Sequence, residues 1–131
     1  MAFITWNSTL VVGHPQIDQE HQKLVNSLNE LHDAMKAGKG SEVCKKVLKE
    51  LVTYTVAHFA TEEKLMTQKS YPDFPSHKRE HEELLKQARE LNEKVQSGTM
   101  TISITVLDFL KNWLAKHIQG TDKKLGKFLT T

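Results

Sequence analysis

The sequence predicts an all-α protein that folds as an up-down-up-down four-helix bundle, with an irregular N-terminal arm and a short C-terminal helical tail. Two observations support this prediction. Apolar residues recur at steps of three and four residues in four separate segments, which is the period of an amphipathic helix. Only 3 prolines and 6 glycines interrupt the 131 residues. Helices of similar length joined by short connections are typical of an antiparallel bundle.

The N-terminal arm is predicted at residues 1–17. Gly13, His14 and Pro15 follow one another there and oppose a helix. Apolar side chains such as Trp6 are expected to pack the arm against the bundle. His14 is interpreted as a solvated loop residue.

The helix boundaries follow from capping and breaking residues. The four predicted helices are 18–37, 41–66, 74–96 and 103–119. The glycine-rich segment 38–40 is expected to end the first helix. Ser41 is expected to cap the second. Pro72 and Pro75 prevent the second helix from continuing, and Asp73 is expected to cap the third.

The end of the chain is predicted to turn at Gly120 and to finish as a helical tail over residues 122–130. No repeat, low-complexity segment or linker divides the sequence. Residues 1–131 are therefore predicted to be a single domain, which is an ordinary length for one.

Composition and charge exclude several classes of function. The formal net charge is only +2 and the signs are mixed along the chain, so nucleic acid is not an expected partner. The single cysteine, Cys44, excludes an internal disulfide and suits a reducing compartment. No signal peptide and no apolar run near the roughly 20 residues of a membrane span is visible. We expect a soluble, cytoplasmic monomer without membrane insertion.

Histidines on the apolar stripes are the most informative feature of the sequence. Of the 7 histidines, five fall on inward-facing positions of the predicted helices: His21, His58, His77, His81 and His117. Glu62 lies four residues after His58 and shares its face. Buried imidazoles and carboxylates are unfavourable unless they are paired or bound to metal. These six side chains therefore predict a common metal site.

Each local motif is weak by itself, because a histidine and a carboxylate four residues apart are more often a solvated helical pair. The strength lies in their combination on separate helices. Asp122 lies five residues after His117, about 140 degrees round a continuous helix. It is expected to reach the site because the helix ends at Gly120. His32 would lie roughly 16 Å along the axis from His21 and is interpreted as a packed histidine outside the site.

These residues together resemble the hemerythrin signature: His21, then His58-x-x-x-Glu62, then His77-x-x-x-His81, then His117-x-x-x-x-Asp122. The flanking sequences IDQEHQKL, HFATEEKLM and LKNWLAKHIQGTDKKL are similar too, and the resemblance covers nearly the whole chain. It is nearest to the single-domain bacteriohemerythrins. The resemblance implies that His77, His81 and His117 hold one non-haem iron. It implies that His21 and His58 hold a second, with Glu62, Asp122 and an oxo or hydroxo group bridging the two.

The number of ligands fits the activity that the resemblance implies. Two octahedral irons have about twelve ligand positions, of which this ligand set and a bridging hydroxide fill about eleven. One position stays open, where dioxygen can bind. The resemblance implies that this binding is reversible and serves storage or delivery to an oxygen-consuming enzyme. Apolar neighbours of the ligands are expected to line a dry oxygen pocket: Leu114, Leu24, Phe59, Trp113 and Ile118. Leu114 is equally interpretable as an ordinary core residue, and for Trp113 packing is favoured over a place in the pocket wall.

Other functions stay open at this point. An oxygen or redox sensor, a di-iron oxidase, a protein that handles peroxide or nitric oxide, and a buffer for zinc or another metal would use similar residues. Di-iron oxidation enzymes in four-helix bundles favour carboxylate-rich sites. The predicted site has five histidines and two carboxylates. This composition favours a dioxygen-binding protein over an enzyme.

Overall fold

The computed structural model describes residues 3–38, 41–99 and 103–130, and these ranges contain no β-strand. They contain five α-helices: α1 (Pro15–Lys36), α2 (Ser41–Gln68), α3 (Phe74–Gln96), α4 (Ile104–His117) and α5 (Lys123–Leu129). A 3₁₀ helix, Ser8–Leu10, precedes α1, and a π-helical turn, Ile118–Asp122, joins α4 to α5. The prediction of an all-α four-helix bundle is confirmed. No described helix is both long enough and apolar enough to cross a membrane.

One end of the bundle is filled by aliphatic side chains, and we call it the apolar end. Its largest members are at most 1% exposed: Leu28, Leu31, Leu48 and Leu107. Burial of a leucine side chain stabilises a fold by roughly 1.5–3 kcal/mol, so this end can hold the four helices together without any ligand. Gln96 at the end of α3 donates to the backbone oxygen of Lys45 near the start of α2 at 2.9 Å, which fits antiparallel neighbours.

The first helix begins earlier than predicted, at Pro15 rather than at residue 18. Proline suits the first turn of a helix because the N–H that it lacks would have no partner there. His14 is the N-cap, and its Nδ1 accepts a hydrogen bond from the Ile17 N–H at 3.4 Å. His14 is therefore a capping residue rather than a solvated loop residue, and the arm ends before α1 at this position.

The turn between α2 and α3 also differs from the prediction. The second helix continues to Gln68, two residues beyond the predicted end at residue 66. Asp73 occupies the N-cap position of α3, but its side chain makes no capping hydrogen bond. Its carboxylate instead pairs with Lys124 of α5 at 2.6 Å. Both side chains are largely exposed, so this ion pair stabilises the fold only slightly.

The N-terminal arm is attached to the bundle by specific polar contacts. Asn29 of α1 both accepts from the Ile4 N–H at 2.7 Å and donates to the Ile4 carbonyl at 2.9 Å. The Asp18 carboxylate accepts from the Val12 N–H at 2.7 Å. Val12 in turn crosses α5 at Gly126, where a Cβ atom would collide with the Val12 carbonyl oxygen. The arm therefore contacts the segment that follows Asp122.

Candidate metal centre

The opposite end of the bundle, which we call the polar end, gathers seven buried side chains. They are at most 4% exposed: His21, His58, Glu62, His77, His81, His117 and Asp122. The start of α1, the end of α2, the start of α3 and the end of α4 meet there. Alternating helix direction places the sequence-predicted ligands at this one end, although they are far apart along the chain.

Their ligand atoms form two overlapping groups. One group contains Glu62, His77, His81, His117 and Asp122, and the other contains His21, His58, Glu62 and Asp122. Within each group, one nitrogen or oxygen atom from every residue lies within 4.8 Å of the corresponding atoms of the others. Glu62 and Asp122 belong to both groups. The structure thus brings all seven predicted residues together and separates the five histidines into three and two.

Asp122 enters the polar end by a route that differs from the prediction. The helix does not end at Gly120; the chain continues through the π-helical turn. A π-helical turn pairs residue i with residue i+5, so a side chain five positions after His117 returns to the same side. Asp122 oxygens lie 3.0 Å from His117 Nε2 and 2.8 Å from His21 Nε2.

Glu62 lies at the middle of the polar end and is 0% exposed. Its carboxylate approaches imidazole nitrogens from several helices. The nearest are His81 Nε2 at 2.9 Å, His58 Nε2 at 3.3 Å, and the Nε2 atoms of His21 and His77, both at 3.5 Å. A carboxylate in this position can contact both groups of histidines at once.

Three glutamates contact histidines of the polar end through the ring atom Nδ1. The sequence did not single them out as site residues. We call them the outer glutamates. Three pairs occur: Glu20 with His58 Nδ1 at 2.7 Å, Glu63 with His81 Nδ1 at 3.0 Å, and Glu80 with His117 Nδ1 at 2.7 Å. An ionised carboxylate only accepts hydrogen bonds, so each Nδ1 carries the proton. A neutral imidazole then presents the lone pair of Nε2 to the polar end.

These lone pairs require a cation. Once Nδ1 of His81 donates to Glu63, its neutral Nε2 faces the Glu62 oxygen at 2.9 Å, and two acceptors cannot share a hydrogen bond. Several buried atoms lack a hydrogen-bond partner among the described residues: Nε2 of His21, His58, His77 and His117, Oε2 of Glu62, and both Asp122 oxygens. Protons or metal ions must lie between them. Imidazole and carboxylate ligands around an open position suit non-haem iron.

The pKa shifts of the polar end also indicate that it favours bound positive charge. Burial by itself lowers the pKa of His21 and His77, but Asp122 and Glu62 outweigh it and raise both pKa values to about 9. Burial by itself would raise the pKa of Glu62, yet neighbouring imidazoles such as His117 hold it well below its usual range. Protons therefore occupy nitrogens that a metal would use, and metal binding must release them.

A small apolar cavity adjoins the polar end. It contacts both His21 and His58 of the group of two histidines and His117 of the group of three, and its volume of about 10 Å³ leaves room for a single small molecule. All five residues predicted for an oxygen pocket line it: Leu24, Phe59, Trp113, Leu114 and Ile118. Thr55 and Leu84 line it too and were not predicted. They stand three residues from His58 and His81, a spacing that could have identified them.

Aromatic packing restricts the ligand rings further. Phe59 stacks on His81 with ring centroids 3.9 Å apart and an interplanar angle of 5°, and it meets His117 in an edge arrangement with centroids 5.4 Å apart.

His32 lies outside the polar end, as its position in the sequence indicated. It stacks on Phe3 of the arm at 4.3 Å and belongs to neither group of ligands.

Comparison with known proteins gives consistent matches over almost the whole chain. The profile of the Hemerythrin HHE cation binding domain matches residues 12–129. A bacteriohemerythrin of Stenotrophomonas maltophilia is 38% identical over 123 residues, which cover 94% of this chain and 79% of that protein. One from Methylococcus capsulatus is 35% identical and covers 99% of both. A crystal structure of wild-type hemerythrin has a TM-score of 0.90 at 32% identity, covering 99% of this chain and 100% of that one.

Proposed function

The chain belongs to the hemerythrin family of non-haem iron, oxygen-binding proteins, and we propose that it stores dioxygen or delivers it to an oxygen-consuming enzyme. In this proposal the polar end would hold two irons. His77, His81 and His117 would hold one, and His21 and His58 would hold the other. Glu62 and Asp122, which belong to both groups, would serve both irons, and an oxo or hydroxo group would complete the centre. When bound, ferrous iron supplies the electrons that reversible dioxygen binding requires.

The observation that carries the proposal is the position of the cavity. It contacts both imidazoles of the group of two, His21 and His58, but only His117 of the group of three. The group of two would leave a coordination position for an external ligand. Its walls are mainly apolar. Besides the imidazoles, its polar wall group is the Thr55 hydroxyl, which donates to the Leu51 carbonyl at 2.8 Å, so its proton is already committed.

The chain's own residues favour binding over turnover. Leu114, Phe59 and the other apolar walls exclude water from the cavity, and proton delivery is what would promote loss of reduced oxygen. Five histidines and two carboxylates also differ from the carboxylate-rich sites of di-iron oxidation enzymes. The proposal therefore needs no protein side chain that acts as an acid or base.

The test is an iron count followed by visible spectra of the reduced protein before, during and after exposure to air. We expect two irons per chain and a charge-transfer band that disappears when oxygen is removed. His77→Ala should lose the band, whereas His32→Ala, which removes a histidine outside the polar end, should retain it. Immediate and permanent oxidation would indicate an oxidase or peroxide-handling enzyme instead. Zinc in place of iron would indicate a metal buffer.

A further inference from the structure

The outer glutamates follow one rule of arrangement. Each stands next in sequence to a residue of the polar end but contacts a histidine on the following helix. The pairs run from Glu20 on α1 to His58 on α2, from Glu63 on α2 to His81 on α3, and from Glu80 on α3 to His117 on α4. Every helix from the first to the third therefore supports a ligand on its successor.

Helix geometry explains the rule. Adjacent residues are about 100 degrees apart around a helix. When His21, Glu62 or His81 points into the bundle, the glutamate beside it points sideways, towards the neighbouring helix. The carboxylates remain partly in water, since the side chains of Glu20, Glu63 and Glu80 are 18%, 27% and 38% exposed. They can stay ionised while they contact a buried imidazole.

The hydrogen bonds that the outer glutamates accept are unevenly distributed between the two groups of histidines. Two outer glutamates contact the group of three histidines and one contacts the group of two. His21 and His77 have no such support, because their Nδ1 atoms have no hydrogen-bond partner among the described residues. Both of these imidazoles approach Asp122 on their other side, at 2.8 Å and 3.1 Å.

We propose that the outer glutamates are positioning residues that fix the ligand histidines and shift the irons towards the ferric state, a role that rests on the proposed iron site. A carboxylate that accepts the Nδ1 proton holds the ring in one orientation and makes Nε2 a stronger electron donor. Each also places a negative charge near the iron, which stabilises ferric over ferrous iron. This lowers the reduction potential of the iron, and a lower reduction potential favours electron transfer from ferrous iron to dioxygen.

Glu80 is the outer glutamate with the widest influence. Besides His117, it accepts a hydrogen bond from the Thr121 hydroxyl at 2.6 Å. Thr121 belongs to the π-helical turn and immediately precedes Asp122. One carboxylate on α3 thus holds both a ligand on α4 and the turn that brings in a bridging carboxylate.

The experiment compares the reduction potential of the iron-loaded wild type with those of Glu80→Gln and Glu83→Gln. Glutamine keeps the shape of Glu80 and an acceptor oxygen but removes its charge. We expect the preference for ferric iron to fall about 10-fold in Glu80→Gln, which is a positive shift of roughly 59 mV for a one-electron couple. Glu83 is an exposed carboxylate on the same helix, so Glu83→Gln should leave the potential unchanged.

A second pair of measurements separates position from charge. Thr121→Val removes the hydrogen bond to Glu80 but keeps the charge, so it should speed iron loss to a chelator while moving the potential less than Glu80→Gln. Glu20→Gln should also raise the potential, and it replaces Glu80→Gln if that variant does not fold. Iron-loaded glutamine variants whose potentials match that of Glu83→Gln would overturn this proposal alone. A wild type that binds no iron would overturn the proposed function as well.

Discussion

The side chains at the two ends of the bundle are similarly buried, but different interactions stabilise them. The leucines of the apolar end are at most 1% exposed, and the side chains of the polar end are at most 4% exposed. The leucines have no polar side-chain atoms, so apolar packing is sufficient to stabilise them. The polar end retains buried nitrogen and oxygen atoms without hydrogen-bond partners in the described part of the chain. Burial therefore does not distinguish a stabilising core from a binding site, whereas unsatisfied polar atoms do.

The same helices supply both ends. On α4, Leu107 belongs to the apolar end and His117 to the polar end, about 15 Å further along the axis. The bundle can therefore fold around its apolar end and offer a preformed polar end to metal. Changes at the apolar end should alter stability without altering iron content, and changes at the polar end should alter iron content.

The largest expected effect is on iron content. Glu62→Gln should leave no more than one iron per chain, because a neutral amide at this position cannot bridge two cations as a carboxylate does. Iron per chain, measured by atomic absorption, checks this. Glu83→Gln, an exposed carboxylate, is the control and should retain two irons. Two tightly held irons in Glu62→Gln would show that this residue does not bridge.

The apolar end should respond in stability instead. Leu107 is 0% exposed, and Leu107→Ala should lower the free energy of unfolding by about 2–5 kcal/mol because it leaves a cavity. Iron per chain should stay at two. Ile104 on the same helix is 50% exposed, so Ile104→Ala should change stability little. Denaturant titration measures both variants. A loss of iron from folded Leu107→Ala would mean that the two ends are not independent.

Stability of the metal-free protein should depend on pH through the polar end. The pKa of His21 and His77 is raised from 6.5 to about 9 in the folded state, so folding favours their protonated forms. Their contribution is complete below about pH 6.5 and disappears as the pH rises through 9. The free energy of unfolding should fall by roughly 3 kcal/mol for each of the two histidines over this window.

The matched samples are the iron-loaded protein and metal-free Leu107→Ala. Iron occupies the nitrogens that protons would use, so the loaded protein should show a flatter profile. Leu107→Ala should retain the slope of the wild type, since the apolar end has no group that titrates there. Equal slopes with and without iron would place the titrating groups elsewhere.

The smallest expected effect is on the rate of autoxidation and involves Leu114, which lines the cavity beside the polar end. Leu114→Ala should speed autoxidation roughly several-fold, because the shorter side chain admits water to the cavity. Leu110→Ala is the control: this leucine is also buried on α4 but does not line the cavity. Decay of the spectrum in air measures the rate. Equal rates in the two variants would mean that Leu114 is an ordinary core residue.

Most of the fold could be predicted from the sequence because the apolar period and the capping residues are local. Ser103 accepts a hydrogen bond from the Val106 N–H at the start of α4, close to the predicted boundary. The π-helical turn could not be predicted, because Gly120 is usually a helix terminator and nothing local indicates a wider turn. The five-residue step from His117 to Asp122 is the available signal, and it fits a helix that ends at Gly120 equally well.

The candidate site was predictable to a similar degree. Inward-facing histidines and Glu62 could be found because helical faces follow from sequence spacing. The outer glutamates were missed for a physical reason. A charged residue beside a ligand, such as Glu80 next to His81, looks like part of a solvated face when its own helix is considered alone. Only the neighbouring helix shows that it contacts His117.

The proposed function depends on two irons in the polar end, one for each group of histidines. An anomalous difference map at the iron absorption edge, from crystals of the protein purified with its native metal, would locate them. We expect two iron peaks per chain, one beside His77, His81 and His117 and the other beside His21 and His58. A single peak, or no peak within the polar end, would rule out this arrangement.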